Sequence, residues 1–219
     1  MNVRWRRFLG CNHLGRVEVN DQVEMRSSSL LFRDFYLRDP ADVARDLLGK
    51  ILVRVINGRR LSCMIVEVEA YYGPEDPASR AKKGGDLRRV MFGDVGVALI
   101  YGIHRQWLLN VVAHGEGEPG AVLIRSGEPL EGIELMRKFR GVDDLRLLTS
   151  GPGRLTRAMR IDKSLHGKPV YVKDHGLWIE EGEEVPPKLI ARSHRVGVSG
   201  DLPVPLRFYV KDNVYVSRR

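Results

Sequence analysis

The chain has 219 residues, of which 43% are hydrophobic and 29% charged, with two cysteines and a formal net charge of +8. These totals exclude a disulfide-stapled scaffold and an acidic disordered chain, and no apolar run approaches the roughly 20 residues that a membrane helix needs. They fit one intracellular folded domain whose basic excess favours a polyanionic partner over a small neutral one.

Residues 1–28 hold several arginines but no long apolar stretch and no clean periodicity. They are expected to be a basic, flexible tail rather than a secretory signal, with the folded domain spanning 29–219. The segment RDPADVARDLLGK (38–50) predicts a helix with both ends marked. Asp39 suits the N-cap, Pro40 the first turn, Val43, Leu47 and Leu48 the apolar stripe, and Gly49 the stop.

Residues 51–72 predict a β-hairpin, because Asn57-Gly58 tolerates the positive φ angles of a tight primed turn. Side chains in a strand alternate faces, so Val66, Val68 and Ala70 point one way and Glu67, Glu69 and Tyr71 the other. The second face reads either as an ordinary solvated one or as the wall of an active site. Cys63, just before it, is expected to be a reduced core residue.

Residues 73–89 are expected to be a long Gly/Pro-rich basic loop. Strands follow at 97–102 and 107–113, then at 120–126, before a helix over 128–141 with acids early and bases late. A second helix opens from the Gly-Pro turn at 151 and runs to 161, and short strands are expected at 169–172, 177–181 and 206–210. Antiparallel strands mixed with a few helices predict a single α+β domain.

Walker loops, H-E-x-x-H, paired C-x-x-C and G-x-S-x-G are all absent from the sequence, and no two histidines stand at helical metal spacing. Metal-free chemistry built on carboxylates is the reading left. A glutamate lining a cleft can take a proton from an attacking water. Tyrosines beside a cationic surface, such as Tyr71 and Tyr101, are suited to stacking on unpaired bases.

Six segments, VEVEAYYGPEDPAS, MFGDVGVALIYGIH, LLNVV, GAVLIRSGEPLEGIELMR, LTSGPGRLTRAMRI and PLRFYV, occur in that order. Together they resemble the alkyladenine (3-methyladenine or methylpurine) DNA glycosylase family, from about residue 31 to the C-terminus. The resemblance implies a mainly antiparallel sheet flanked by helices and no cofactor or metal. It also implies a monomer acting on double-stranded DNA that contains damaged purines. Such enzymes flip an alkylated, and in some cases deaminated, purine from the duplex and hydrolyse its N-glycosidic bond, leaving an abasic site for base excision repair.

Carried over residue by residue, the resemblance makes Glu69 the base that activates water and Arg125 its catalytic neighbour. Tyr71 stacks on the flipped base, Asn110 tests the purine edge, and Ser79 and Arg80 lie beside the base. Tyr101, with Gly102, fills the space left in the duplex, and Gly151 and Arg154 meet the DNA backbone in the 150–155 turn. Glu67 receives only a neighbouring role. Three departures stand out: Arg80 replaces a frequent histidine, Ala98 replaces a tyrosine, and the segment between Tyr101 and Asn110 is two residues longer. Losing the ring at Ala98 removes one side of the aromatic pocket, for which Trp107 or His104 is the candidate to compensate. A non-catalytic nucleic-acid-binding module is the alternative reading, and free-nucleoside hydrolysis a weaker one.

Overall fold

One long strand organises the molecule. In the computed structural model, whose described residues are 29–218, β1 (Ile51–Ile56) and β2 (Arg59–Tyr71) form the expected hairpin. Asn57 and Gly58 at its turn have φ of 49° and 74°, the left-handed pair that a primed turn requires. The tail expected over 1–28 lies outside the described residues.

The remaining strands are β3 (Ala98–Ile103), β4 (Gln106–Val112), β5 (Ala121–Glu131), β6 (Leu177–Glu180), β7 (Ile190–Ser193) and β8 (Arg207–Val210). All eight join one antiparallel sheet in the order β3-β4-β5-β2-β1-β6. β5 occupies one edge of β2 from Ser62 to Tyr71; on the other edge β1 pairs up to Met64 and β8 takes over at Glu67–Glu69, with β7 beyond it. The register between β2 and β5 shifts on both sides of Glu67, so the strand is irregular where its carboxylates begin. Such irregularities re-aim side chains beside functional sites.

Among the described residues five α-helices complete the fold: α1 (Pro40–Leu47), α2 (Gly85–Met91), α3 (Ile133–Arg140), α4 (Leu145–Thr149) and α5 (Pro152–Ala158). The mixture is the expected α+β fold. In α1, Asp39 Oδ1 accepts from the amides of Ala41 at 2.8 Å and Asp42 at 3.4 Å, and Val43, Ala44 and Leu47 are buried in the core. Cys63 is buried and free as expected. Among the described residues no helix is long and apolar enough to cross a membrane.

Four local expectations change. The 73–89 loop contains α2 and a 3-10 turn at Arg80–Lys83, capped by Ser79 Oγ accepting from the Ala81 amide at 3.2 Å. The helix expected from 128 begins at Ile133: β5 continues through Glu131, and Gly132, with φ +71°, turns the chain. The segment 169–172 makes a single bridge, Pro169 to Val97, because bends replace the ladder after it. Both β7 and the short α4 arise where no local pattern marked them.

Candidate active site

The sheet register lays the site out in rows. Arg207, Glu69, Leu123, Asn110 and Leu99 are consecutive partners across β8, β2, β5, β4 and β3. Registered partners project to the same face, with strands about 4.8 Å apart, so Glu69 and Asn110 flank Leu123 across a span of about 10 Å. Two residues further along β3 and β4 the next row begins with Tyr101 opposite Leu108.

The Glu67/Glu69/Tyr71 face is neither solvated nor bare. Both carboxylates are 0% exposed. Arg125 lies between them, donating from Nε to Glu67 Oε1 at 2.8 Å and pairing through Nη1 with Glu69 Oε1 at 3.1 Å. Glu67 Oε1 also accepts from Arg207 Nε at 2.8 Å and Ser217 Oγ at 2.9 Å, and Oε2 accepts from the Ser217 amide at 2.6 Å. Burial alone would raise the pKa of Glu67, but Arg125, the Ser217 amide and Arg207 hold it below the usual carboxylate range.

Glu69 has fewer partners. Its Oε1 accepts from the Val196 amide at 2.7 Å and its Oε2 from the Tyr71 hydroxyl at 2.8 Å. Here burial outweighs Arg125, the Val196 amide and Tyr71, and the carboxyl titrates above its ordinary range. An ionised carboxylate has about four acceptor positions. Arg125, Val196 and Tyr71 take three of them, which leaves one for a water.

A second buried network backs Tyr71. The Arg195 side chain is 0% exposed and forks onto Asp76 at 2.6 and 2.7 Å. Its Nε donates to Asp201 Oδ1 at 2.8 Å and its Nη1 to the Ala70 carbonyl at 3.0 Å, while the guanidinium carbon sits 4.5 Å from the Tyr71 ring centroid. Around Tyr71 there are thus four carboxylates, Glu67, Glu69, Asp76 and Asp201, against three guanidiniums, Arg125, Arg195 and Arg207. The interior of the site is acidic by one charge.

In front of this network opens a cleft of about 730 Å³, lined among others by Tyr71, Tyr101, Leu123, Arg125, Val196 and His104. Its lining also includes Ser79 and Gly151, and Arg80, Lys83 and Arg154, which make it basic. Polyanion is favoured there and cation at depth. Of the expected residues, Tyr71, Ser79, Arg80, Tyr101, Arg125, Gly151 and Arg154 come together at this cleft. Glu69 stands directly behind Tyr71, Arg125 and Val196. Arg80 lies over the Tyr101 ring at 5.4 Å.

Asn110 is buried beside Tyr101 and donates from Nδ2 to the Leu99 carbonyl at 3.1 Å; neither it nor Gly102 belongs to the lining. Ala98 is buried and its amide donates to the Lys168 carbonyl, so the lost ring does not leave a gap in the cleft wall. His104 lines the cleft, whereas Trp107 lines a neighbouring groove. At the start of α5, an added Cβ on Gly153 would fall 1.5 Å from Gln106 Oε1. That close approach seats the α5 start, with Arg154, against β4.

Sequence reasoning missed Arg195, Arg207, Val196, Asp76 and Ser217. Arg207 stands inside PLRFYV and so carried a signal; Arg195 and Ser217 have no local pattern that ties them to a strand more than a hundred residues earlier.

Comparison with known proteins bears on this arrangement. A family model described as methylpurine-DNA glycosylase (MPG) matches residues 34–214. A protein of Aeropyrum pernix named "Putative 3-methyladenine DNA glycosylase" is 50% identical over 191 residues, covering 86% of this chain and 93% of the relative. Proteins of the same name from Methanocella arvoryzae and Carboxydothermus hydrogenoformans are 44% and 42% identical, covering 87% of this chain and 96% and 100% of their own lengths.

Proposed function

Because the chain belongs to the methylpurine-DNA glycosylase family, and is therefore a DNA glycosylase, a hydrolase of N-glycosyl compounds, we propose that it extrudes an alkylated purine from duplex DNA into the cleft and hydrolyses its N-glycosidic bond there. The observation that carries this reading is Glu69: buried, titrating above the ordinary range, and left with one acceptor position. A water held at that position gives a proton to Glu69 as its oxygen attacks the sugar carbon. The bonding electrons leave with the purine and neutralise its positive charge, and an abasic sugar remains. The acidic interior favours both the cationic base and the cationic character that builds on the sugar.

The purine rests over Leu123 in front of Glu69, with Tyr71 as its stacking platform; Asn110, one strand beyond Leu123 and outside the cleft lining, is reached only at the purine's far edge. Ser79 and Arg80 border it, and Arg154 and the Gly151 turn meet the phosphates. The cleft lining contains no Asp or Glu and a single histidine, His104. A neutral deaminated purine needs a proton as it departs, so cationic N-alkylpurines are the favoured substrates. A non-catalytic binding module has no use for a buried carboxyl held above its ordinary range.

The working form of Glu69 is the ionised one, whose fraction grows as pH rises through the pKa. Since that pKa is raised, the acid limb of the single-turnover rate of base release should lie above the ordinary glutamate range, near 4.3. Tyr71→Phe keeps the ring but removes a hydrogen bond that favours the ionised form, so it should move the limb to still higher pH. A limb at the ordinary position, unmoved by Tyr71→Phe, would refute Glu69 as the base.

Tyr101→Ala should weaken binding to lesion-bearing duplex more than to undamaged duplex. Filling the vacated stack offsets part of an extrusion cost of about a few kcal/mol. Equal losses on both duplexes, measured by fluorescence anisotropy, would make Tyr101 a generic contact.

A further inference from the structure

Beside the cleft, and sharing Gln106, Gly153 and Arg154 with it, lies a second groove of about 480 Å³. Arg105, Arg140, Arg154, Arg157 and Arg160 line it together with Trp107, which is 39% exposed. Asp162 is its one acid; its Oδ1 accepts from the amide and hydroxyl of Ser164, and the carboxylate also interacts with Arg54 and Arg160. Among the described residues none of the five arginines has a carboxylate within 4.0 Å. Arg140 donates only to the carbonyls of Leu147 and Leu148, Arg154 to Ser150, and Arg160 lies 4.5 Å from the Phe139 ring.

So many unneutralised guanidiniums repel one another. Burial, with Arg157 and Arg154 adding to it, lowers the pKa of Arg140. Backbone cost points the same way. Arg105, in the β3–β4 turn, has φ +63° and Arg160 has φ +49°. Glycine or asparagine adopts that left-handed conformation more cheaply than arginine does. Two long cations are thus kept at strained positions that face one groove, where among the described residues Asp162, which interacts with Arg160, is the one acid against five guanidiniums.

We propose that this groove holds the phosphodiester backbone of the duplex, next to the nucleotide whose base enters the cleft. The proposal rests on the reading of the cleft as the base-binding site and extends the DNA contact to its far side. Continuity through Gln106, Gly153 and Arg154 selects this occupant, because a strand held at the cleft mouth must run on past it. Each phosphate seated on an arginine releases condensed counterion, so affinity gained here falls with salt.

The test is Arg157→Gln/Arg160→Gln, two exposed side chains without ion pairs, beside Arg157→Lys/Arg160→Lys. Binding of a fluorescein-labelled duplex, undamaged or with one methylated purine, is followed over a potassium chloride series. The Gln pair should lower the slope of log Kd against log salt by about 1.8, from about 0.9 per phosphate contact. Its Kd should weaken about tenfold on both duplexes near physiological salt, with base release at saturating enzyme unchanged. The Lys pair should keep the wild-type slope. A slope and Kd within twofold of wild type for the Gln pair would overturn the proposal. If wild type releases no methylated base yet the slope changes as stated, the reading of the cleft fails and the groove stands. Release with an unchanged slope sinks the groove alone.

Discussion

Glu69→Gln should bind methylated duplex nearly as wild type does and release the base at least roughly a hundredfold more slowly, the low end of what general acid–base catalysis supplies. The reason is local. A glutamine oxygen can still accept from the Val196 amide at Oε1, the stronger of the two neutral contacts at 2.7 Å. What it cannot do is take a proton from water. Arg125 retains Glu67 and the Ser217 hydroxyl, so the guanidinium keeps its position and the cleft its shape. The variant also removes a buried charge whose ionisation burial opposes, so its Tm should not fall by much. Base release at the wild-type rate would show that another group activates the water. Binding and release lost together would make Glu69 structural.

The largest loss of stability should come from Arg195→Met. It strands Asp76, a carboxylate with 0% side-chain exposure, without its bidentate partner. Breaking a buried pair on one side costs about 3–5 kcal/mol, because the remaining charge has neither water nor a counter-ion. In a domain of this size that lowers Tm by on the order of 10 °C. Arg195→Met/Asp76→Asn should recover part of the loss, since no charge is then left unpaired. The functional loss should exceed what the melting predicts. Arg195 backs the Tyr71 ring and ties Asp76 to Asp201, and so joins the two segments that contribute Pro77–Arg80 and Val196–Ser199 to the cleft wall. Thermal melting beside lesion-duplex affinity checks both parts; a Tm within a degree or two of wild type would show that Asp76 finds other partners.

What the sequence disclosed and what it hid divide along the distance over which a signal acts. The α1 helix was legible because Asp39, Pro40 and Gly49 each act within one turn of the chain. So was the first hairpin, through Asn57-Gly58. Where a strand and a helix meet, the local signal misled: Glu128 and Glu131 resemble a first helical turn but belong to β5, because pairing with β2 outweighs their helix propensity. Short strands such as β7 exist only because β8 supplies their partner.

The site was half legible. Alternation put Glu67, Glu69 and Tyr71 on one face, and the likeness to a known family gave roles to Glu69, Tyr71, Tyr101, Asn110 and Arg125. The sequence left two glutamates repelling each other across one strand. The fold resolves that with Arg125 between them and Arg207 and Ser217 on the far side, contributed from strands and a C-terminal segment whose closeness no periodicity encodes. Glu67 thereby becomes the anchor of Arg125 rather than a bystander. Ala98, which stands where the family resemblance implies a tyrosine ring, is buried and outside the cleft lining.

The central claim meets its most direct test in a single-turnover assay on an end-labelled duplex carrying one N-methylated purine, with hypoxanthine in a parallel duplex. The strand is examined with and without alkali, which breaks abasic sites. The account predicts alkali-dependent breakage at the methylated purine, at most weak breakage at hypoxanthine, and none without alkali. No release of the methylated base from a duplex the protein binds would contradict it, as would breakage that needs no alkali.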